Sequence, residues 1–131
     1  MGADLDACVA DSVRNLIGAY AHALDAGRAG DIADLFCPDG VAEIAGTATF
    51  VGRDAIREGY GAWAPTVPQL HLVTNTVVDS RSAEQATATS DLAFFRRDPA
   101  GWVLHLVGRY EDTLHRTDGV WRFHHRVTTF R

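Results

Sequence analysis

Apolar residues recur every three and four positions near the start of the chain, which is the stripe of an amphipathic helix packed on one side. The pattern runs from Asp6 to about Ala26. Its apolar members are Val9, Val13, Leu16, Ile17, Tyr20 and Leu24. Gly27 and Gly30 follow, and glycine commonly ends a helix at this place. We therefore predict one long first helix that buries a single face.

A short second helix and a strand pair are predicted next. Asp31 is a suitable N-cap for a helix that continues to Phe36. The segment CPDG at 37–40 has the composition of a turn and should end that helix. Alternating residues then favour strands at 41–45 and 48–51.

A third helix precedes a change of character in the second half of the chain. The helix is predicted from about Arg53 to Trp63, with Ala55, Ile56 and Tyr60 on one face. Long runs rich in β-branched and aromatic residues then favour strands at 71–79, 86–96, 101–115 and 120–130. Hairpin connections are predicted at 80–85, 98–101 and 117–119, and Asp118-Gly119 is the strongest of these turn signals.

Helices followed by a meander of long strands predict an α+β fold. At 131 residues the chain is expected to be one domain spanning 1–131. A curved, mostly antiparallel sheet that wraps the helices would leave a cone-shaped cavity between the two layers. Such a cavity would suit a small apolar ligand.

Composition narrows the classes of function. All twelve basic residues are arginine, so the absence of lysine excludes Schiff-base catalysis, a pyridoxal phosphate anchor and a P-loop. A net charge of -5 argues against binding to nucleic acid or to an anionic membrane. There is no signal-peptide pattern and no apolar run long enough to span a membrane, so a cytoplasmic location is expected.

Neither cysteines nor histidines occur at a metal-binding spacing. Cys8 and Cys37 form no CxxC pair, and the six histidines show no HxH or HExxH pattern. We therefore predict two incidental thiols, no disulfide framework and no metal site.

Candidate chemistry centres on two residues. Asp25 falls in the last turn of the first helix, where the helix dipole disfavours a carboxylate. The acid is either solvated, with this penalty screened, or placed there for a functional reason. His71 opens a largely apolar strand, and alternation puts Val73 and Asn75 on its face. Tyr20 belongs to the apolar stripe of the first helix and should face the core, where its hydroxyl needs a hydrogen-bond partner.

Two further residues depend on how the last strands are built. Tyr110 ends the apolar face of the strand at 101–115, whose other face becomes polar from Arg109 onward and is expected to be solvated. Arg126 is out of phase with the core residues Trp121 and Phe123. Either it faces away from the core or a bulge turns it inward, and whether Arg126 or His125 faces the cavity stays open.

Six segments in order resemble the SnoaL-like branch of the nuclear transport factor 2-like superfamily. They are the first helix with Tyr20 and Asp25, Leu35-Phe36, GRDAI at 52–56, HLVTN at 71–75, GRYED at 108–112 and DGVWRF at 118–123. The resemblance implies a cone of three helices packed against a curved, mostly antiparallel sheet around an internal pocket.

Within this branch the chain most resembles the group of scytalone dehydratase, hexachlorocyclohexane dehydrochlorinase and bile-acid 7α-dehydratase. That group implies a β-elimination that needs no cofactor, with Asp25 and His71 as a general-base dyad and with Arg126 and Tyr20 as further catalytic residues. The expected substrate is small, hydrophobic and cyclic. The residues expected to bind it are Tyr110, Asn75, Trp63 and Phe94.

Two other functions stay open at this stage. The same fold could carry a polyketide cyclase or a ketosteroid-isomerase-like enzyme, and the isomerase pattern would require Glu43 as its acid. A non-catalytic domain that binds a small molecule is the third possibility, since fold does not imply function. The exposed strand edges and an apolar outer face predict a homo-oligomer, with a trimer favoured and a dimer possible.

Overall fold

The computed structural model consists of three helices packed against one six-stranded sheet. It describes residues 2–131, with side chains from residue 7 onward. The helices are α1 Gly2–Ala26, α2 Ala29–Asp34 and α3 Arg53–Ala62. The strands are β1 Phe36–Ile44, β2 Ala48–Val51, β3 Gln69–Ser80, β4 Gln85–Asp98, β5 Gly101–Thr117 and β6 Val120–Phe130.

The sheet is mixed and open. Its strand order is β2-β1-β6-β5-β4-β3, so that β2 and β3 form the two edges. β1 and β6 are parallel, and the other neighbours are antiparallel. The predicted α+β class with a mostly antiparallel sheet is confirmed.

The core lies between α1 and the inner face of the sheet. The apolar stripe predicted for α1 is buried at Val9, Val13, Leu16, Ile17 and Tyr20, and Leu24 packs against it. Apolar and aromatic residues of β1, β4, β5 and β6 complete the same cluster. No helix within residues 2–131 is both long enough and apolar enough to cross a membrane.

The helix bounds differ from the prediction at two places. α1 begins at Gly2 rather than at Asp6, whose side chain lies outside the described part of the chain. α2 begins at Ala29 and ends at Asp34, so it does not reach Phe36. Phe36 instead pairs with Phe123 of β6, because this pairing satisfies backbone groups that a longer helix would leave facing the sheet.

The predicted turn at 37–40 is wrong, because this segment belongs to β1. The register of β1 against β6 shifts between Phe36 and Val41, so Pro38 and its neighbours occupy an irregular stretch of strand. The carbonyl of Gly40 accepts a hydrogen bond from the amide of Gly52 at 2.7 Å, which ties this stretch to the start of α3.

The third helix, the strand pair and the hairpins agree with the predicted pattern. Ile56 and Tyr60 form the buried face of α3. Asp118 and Gly119 adopt positive φ angles of 52° and 77°, as the tightest predicted hairpin requires.

A bulge in β3 overturns the predicted alternation of that strand. Asn75 has a φ of 54°, and the register against β4 shifts between Thr74 and Val77. The Asn75 side chain donates a hydrogen bond to the Asp91 carboxylate at 3.1 Å and lies on the exposed outer face. The prediction that Asn75 shares the face of His71 is therefore wrong, because the inserted residue reverses the phase of the strand.

The outer face of the sheet carries several exposed apolar side chains at one end. Leu72, Leu104 and Val107 are among them. Farther along the same face, Arg109 donates a hydrogen bond to Asp91 at 2.9 Å, as expected for a solvated polar surface. Self-association through the apolar end stays a prediction.

Two glycines offer a matched test of this packing. A Cβ atom on Gly108 would lie 2.6 Å from the backbone oxygen of Thr129, whereas a Cβ on Gly18 in α1 would meet nothing within 4 Å. We expect Gly108→Ala to lower the free energy of unfolding by about 1–3 kcal/mol, because the neighbouring strand must move. Gly18→Ala should raise it by about 0.5–1 kcal/mol through helix propensity.

Urea denaturation of the two variants and the parent protein measures both effects. Equal stability changes for the two substitutions would contradict the described contact between β5 and β6.

Candidate active site

The end of α1 positions the first candidate residue. The amide of Arg28 donates to the carbonyl of Ala23 at 2.9 Å, and the amide of Gly27 donates to that of Leu24 at 3.2 Å. With Gly27 at a φ of 70°, this pattern is a Schellman motif. It makes Asp25 one of the last helical residues, and α2 begins shortly after it at Ala29.

Asp25 and His71 are in direct contact. Nδ1 of His71 lies 2.6 Å from Oδ1 of Asp25, and the backbone amide of His71 donates to Oδ2 at 2.8 Å. Nε2 of Gln69 also donates to Oδ1, at 3.3 Å. Both oxygens of the carboxylate are thus held by the first residues of β3.

These three donors explain why an acid is tolerated at the C-terminal end of a helix. The helix dipole disfavours a negative charge there, and the effect is strongest in the last turn. Hydrogen bonds from an amide, an imidazole and a carboxamide stabilise the ionised carboxylate instead. Since the carboxylate accepts from Nδ1, the neutral imidazole carries its proton on that nitrogen and leaves Nε2 free to accept one.

The ring of His71 is fixed on its other side by Phe94. The two rings are stacked, with centroids 4.4 Å apart and an angle of 8° between the planes. The side chain of His71 is 10% exposed and that of Asp25 15% exposed, so the pair is shielded but reachable. His105 touches the same phenyl ring edge-on at 5.6 Å.

A groove between α1 and β3 leads to His71. Its volume is about 290 Å³. It is lined by Arg14, Ile17, Gly18, Ala21, His22, His71, Leu72, Val73 and Thr76. At its far end the Arg14 guanidinium donates to the backbone oxygen of Thr76 at 3.3 Å.

A second polar group lies in the centre of the core. Arg126 and Asp112 form a two-pronged ion pair, with Nε to Oδ1 at 2.7 Å and Nη2 to Oδ2 at 3.1 Å, and both side chains are 0% exposed. The β5–β6 register shifts between Thr113 and Leu114, which leaves His124 as an extra residue in β6. This bulge turns Arg126 inward, which settles the alternatives left by the sequence.

Aromatic rings surround the Arg126 guanidinium. Its carbon atom lies 3.6 Å from the ring centroid of Tyr110, 4.3 Å from that of Tyr20 and 4.4 Å from that of Phe123. The hydroxyl of Tyr20 hydrogen-bonds that of Tyr60 at 2.5 Å. The ion pair is therefore enclosed by π faces that favour a cation.

The electrostatics of this cluster keep the phenols neutral and the guanidinium charged. Burial raises the pKa of Tyr20 and of Tyr110, and it raises the pKa of Tyr60 to about 12. Burial alone would lower the pKa of Arg126, but the adjacent Asp112 carboxylate outweighs it and raises that pKa. The negative charge of Asp25 adds a smaller contribution to the raised pKa of Tyr110.

The structure brings some of the predicted site residues together and separates others. Asp25, His71 and Phe94 form one contact group, and Tyr20, Tyr110 and Arg126 form another that is buried beneath the groove rather than lining it. Asn75 faces outward, as described above. Trp63 is 42% exposed at the end of α3, where it packs on Phe50 and Tyr60 with ring centroids 5.2 and 5.7 Å away.

His125, whose orientation the sequence left open, and Glu43, which the isomerase alternative requires, lie on the outer face of the sheet. Nε2 of His125 is 3.3 Å from Oε1 of Glu43, and both side chains are substantially exposed. His125 therefore does not face the core, and Glu43 is not where an isomerase acid would be needed.

Gln69, Tyr60 and Asp112 take part in the contacts around Asp25 and Arg126 but were not predicted as site residues. Gln69 gives no local signal, because its role depends on the approach of α1 to β3. Tyr60 was predicted only as part of the apolar face of α3. Asp112 alternates in phase with Tyr110, and an acid on an otherwise apolar strand face was the signal that could have identified it as a buried partner.

Comparison with known proteins places the chain in a fold family. A family model for the SnoaL-like domain matches residues 7–127. A solved structure of an Asp-to-Asn variant of a function-unknown protein from Mycobacterium tuberculosis is 26% identical, with a TM-score of 0.91, and 98% of this chain and 75% of that chain are covered. No curated protein matches the chain significantly.

Two structures from Novosphingobium aromaticivorans are also similar. A candidate scytalone dehydratase is 23% identical with a TM-score of 0.87, covering 98% of this chain and 88% of that one. An NTF2-like protein with a cystatin-like fold is 26% identical with a TM-score of 0.82, covering 92% and 80%. At 23% identity, the likeness to the candidate scytalone dehydratase shows the fold alone.

The three tyrosines of the chain predict its behaviour in alkali. All of them lie in the core cluster with raised pKa values, so folding keeps each phenol protonated. The stability they contribute is complete below pH 10, the ordinary pKa, and is lost as the pH rises towards about 12 and beyond. We expect phenolate absorbance to appear only together with unfolding.

A spectrophotometric titration, with circular dichroism recorded on the same samples, tests this. The urea-unfolded protein serves as the control and should titrate near pH 10. A tyrosine that ionises near pH 10 in the folded protein would contradict the described burial.

The contribution of the buried Arg126–Asp112 pair to stability can be tested by substitution. Arg126→Met leaves Asp112 buried without its partner, so we expect the free energy of unfolding to fall by about 3–5 kcal/mol. The double variant Arg126→Met/Asp112→Leu removes both charges and should recover most of that loss. Chemical denaturation of both variants checks this, and a double variant less stable than the single one would refute the pairing.

Proposed function

Because the chain belongs to the SnoaL-like domain family of the NTF2-like superfamily, we propose that it is a lyase that catalyses β-elimination from a small, hydrophobic, cyclic substrate. The observation that carries this proposal is the 2.6 Å contact between Asp25 and Nδ1 of His71. A carboxylate that orients an imidazole beside a groove is the arrangement that general-base catalysis needs.

The proposed reaction uses only proton transfers to and from His71. Nε2 takes a proton from the carbon next to a carbonyl group, and the C–H electron pair forms the new C=C bond. The C–O bond at the β carbon breaks, and the departing hydroxide takes the proton from Nε2 and leaves as water. Asp25 holds the ring in place and balances the charge of the imidazolium while it exists.

The groove supports a small substrate with an apolar body. A volume of about 290 Å³ is at the lower end of ligand-binding cavities. Ile17, Ala21 and Val73 provide apolar walls, while Arg14 and Thr76 provide polar groups at one end. The aromatic ring of Phe94 behind His71 keeps water from one side of the base.

Charge that develops on the carbonyl oxygen needs stabilisation. We assign this to the Arg14 guanidinium at the end of the groove, because Arg126 is already neutralised by Asp112. Tyr20 and Arg126 are closed off from solvent, so they act as positioning residues behind the wall rather than by touching the substrate. Tyr110 packs directly on the guanidinium and is buried with it.

A ring-closing reaction of the polyketide cyclase type would use the same base and stays an alternative. The isomerase alternative is less well supported, because Glu43 lies on the outer face near His125. A purely ligand-binding role would need the groove but not the dyad.

The dyad is tested with a panel of cyclic β-hydroxy ketones as the probe, and enone formation is measured. We expect the parent protein to dehydrate at least one of them. His71→Gln and Asp25→Asn should each lower kcat/KM by about 10²- to 10⁴-fold, because each removes the oriented base. His105→Gln is the matched control, since it also touches Phe94 but not Asp25, and it should retain activity.

The tautomer of His71 provides a readout that does not depend on the substrate. In ¹⁵N-labelled protein Nδ1 should carry the proton, and Asp25→Asn should abolish this preference. If the tautomer is as expected but no ketone reacts, elimination is wrong while the pair stands. If Nε2 carries the proton in the parent protein, the dyad itself is refuted. Ring-closed products from linear polyketide analogues would favour the cyclase.

A further inference from the structure

Three side chains of metal-ligand type meet at a place well separated from His71 in the sheet. They are Cys37 of β1, His115 of β5 and His124 of β6, and one ligand atom of each lies within 4.8 Å of those of the other two. β4 separates β5 from β3, which carries His71 at the far edge. The cluster therefore does not belong to the candidate active site.

Two irregularities of the sheet create this cluster. His124 is the extra residue of the β5–β6 bulge, and its ring stacks on that of His115 with centroids 4.2 Å apart and an interplanar angle of 13°. Cys37 lies in the stretch of β1 where the register against β6 shifts. A regular sheet would not bring the thiol and the two imidazoles together, and bulges that aim side chains in this way are characteristic of functional sites.

One nitrogen of the His124 ring has no hydrogen-bond partner among the described residues. This atom, Nδ1, is buried. A buried polar atom without a partner costs free energy, so its occurrence calls for an explanation such as a bound ion.

We propose that Cys37, His115 and His124 bind one divalent transition-metal ion of the zinc class. One thiolate and two imidazoles are a donor set that suits Zn²⁺ and Co²⁺ and that hard ions such as Mg²⁺ avoid. The remaining coordination position is open to water or to the Asp39 carboxylate, which lines the same cavity of about 360 Å³.

The charges around the cavity are compatible with a cation. Arg53 and Arg122 also line it, and Asp39 and Asp118 balance them. Nε of Arg53 donates to the carbonyl of Phe36 at 2.8 Å, which anchors that side chain. The net formal charge of these four residues is zero, and Cys37 supplies a negative charge when it binds the metal as a thiolate.

Metal binding replaces the proton of the Cys37 thiol. The S–H bond of Cys37 breaks, the sulfur–metal bond forms, and the proton goes to the buffer. The nitrogen and sulfur ligand atoms around tetrahedral zinc are about 3.3–3.6 Å apart, so a spread of up to 4.8 Å must contract by at most roughly 1.5 Å. Because the two imidazole rings are nearly parallel, they must also rotate about their Cβ–Cγ bonds before their nitrogen lone pairs can converge on one ion.

Cobalt(II) titration of the reduced 131-residue chain tests the proposal, because a thiolate bound to Co²⁺ gives a charge-transfer band in the near ultraviolet. We expect this band to saturate at one ion per chain and to be lost in Cys37→Ser. Cys8→Ser is the matched control, since Cys8 is the other free cysteine and is exposed elsewhere. His124→Gln and His115→Gln should each weaken binding by at least ~10-fold.

Circular dichroism confirms that each variant is folded, and the partly exposed histidines keep the test valid if Cys37→Ser destabilises the core. The proposal is overturned if the parent protein shows no charge-transfer band at saturating Co²⁺, or if Cys37→Ser retains it. Loss of the band in Cys8→Ser would also overturn it. His71→Gln and Asp25→Asn should keep the band, and its loss there would place the metal at the dyad instead.

Discussion

The buried pair of Arg126 and Asp112 is the interaction on which the centre of this structure depends. Removing two charges from water is costly, and a pair without further partners rarely recovers that cost. Here the two-pronged geometry and the rings of Tyr20, Tyr110 and Phe123 compensate for it. The guanidinium therefore fixes where the aromatic rings lie, and through Tyr20 it fixes how α1 crosses the sheet.

The same bulge links this core to both candidate sites. One inserted residue in β6 turns Arg126 towards the core and at the same time leaves His124 stacked on His115. Because Tyr20 anchors α1 from within the cluster, the end of that helix reaches β3 at the height where Asp25 meets His71. Without the bulge, alternation would turn His125 inward in place of Arg126, and the geometry of Cys37 and the two histidines would be lost.

Local periodicity was sufficient to predict the elements, because α1 and the hairpins are defined by neighbours in sequence. It failed where tertiary pairing decides the conformation. Residues 37–40 have turn composition but are held in β1 by the approach of β6, and Asn75 reverses the phase of β3 through one positive φ angle. The Asp25–His71 pair was reached from the family resemblance and from the unusual place of an acid at a helix end. The cluster of Cys37, His115 and His124 has no spacing signal, since its members come from three separate strands.

The proposed base lies on an edge strand of the sheet, whereas the ion pair of Arg126 and Asp112 lies in the core. A base at an edge strand is accessible through the α1–β3 groove, but it is also the place where water is hardest to exclude. The oriented carboxylate and the stacked Phe94 ring restrict His71 to one tautomer and one plane. Arg126 is paired with the Asp112 carboxylate, so the core presents a dipole rather than a free positive charge, and its field falls off quickly with distance even in a medium of low dielectric. The ion pair therefore supports the edge site by packing: it holds the aromatic rings in place and, through Tyr20, the helix whose last turn carries Asp25.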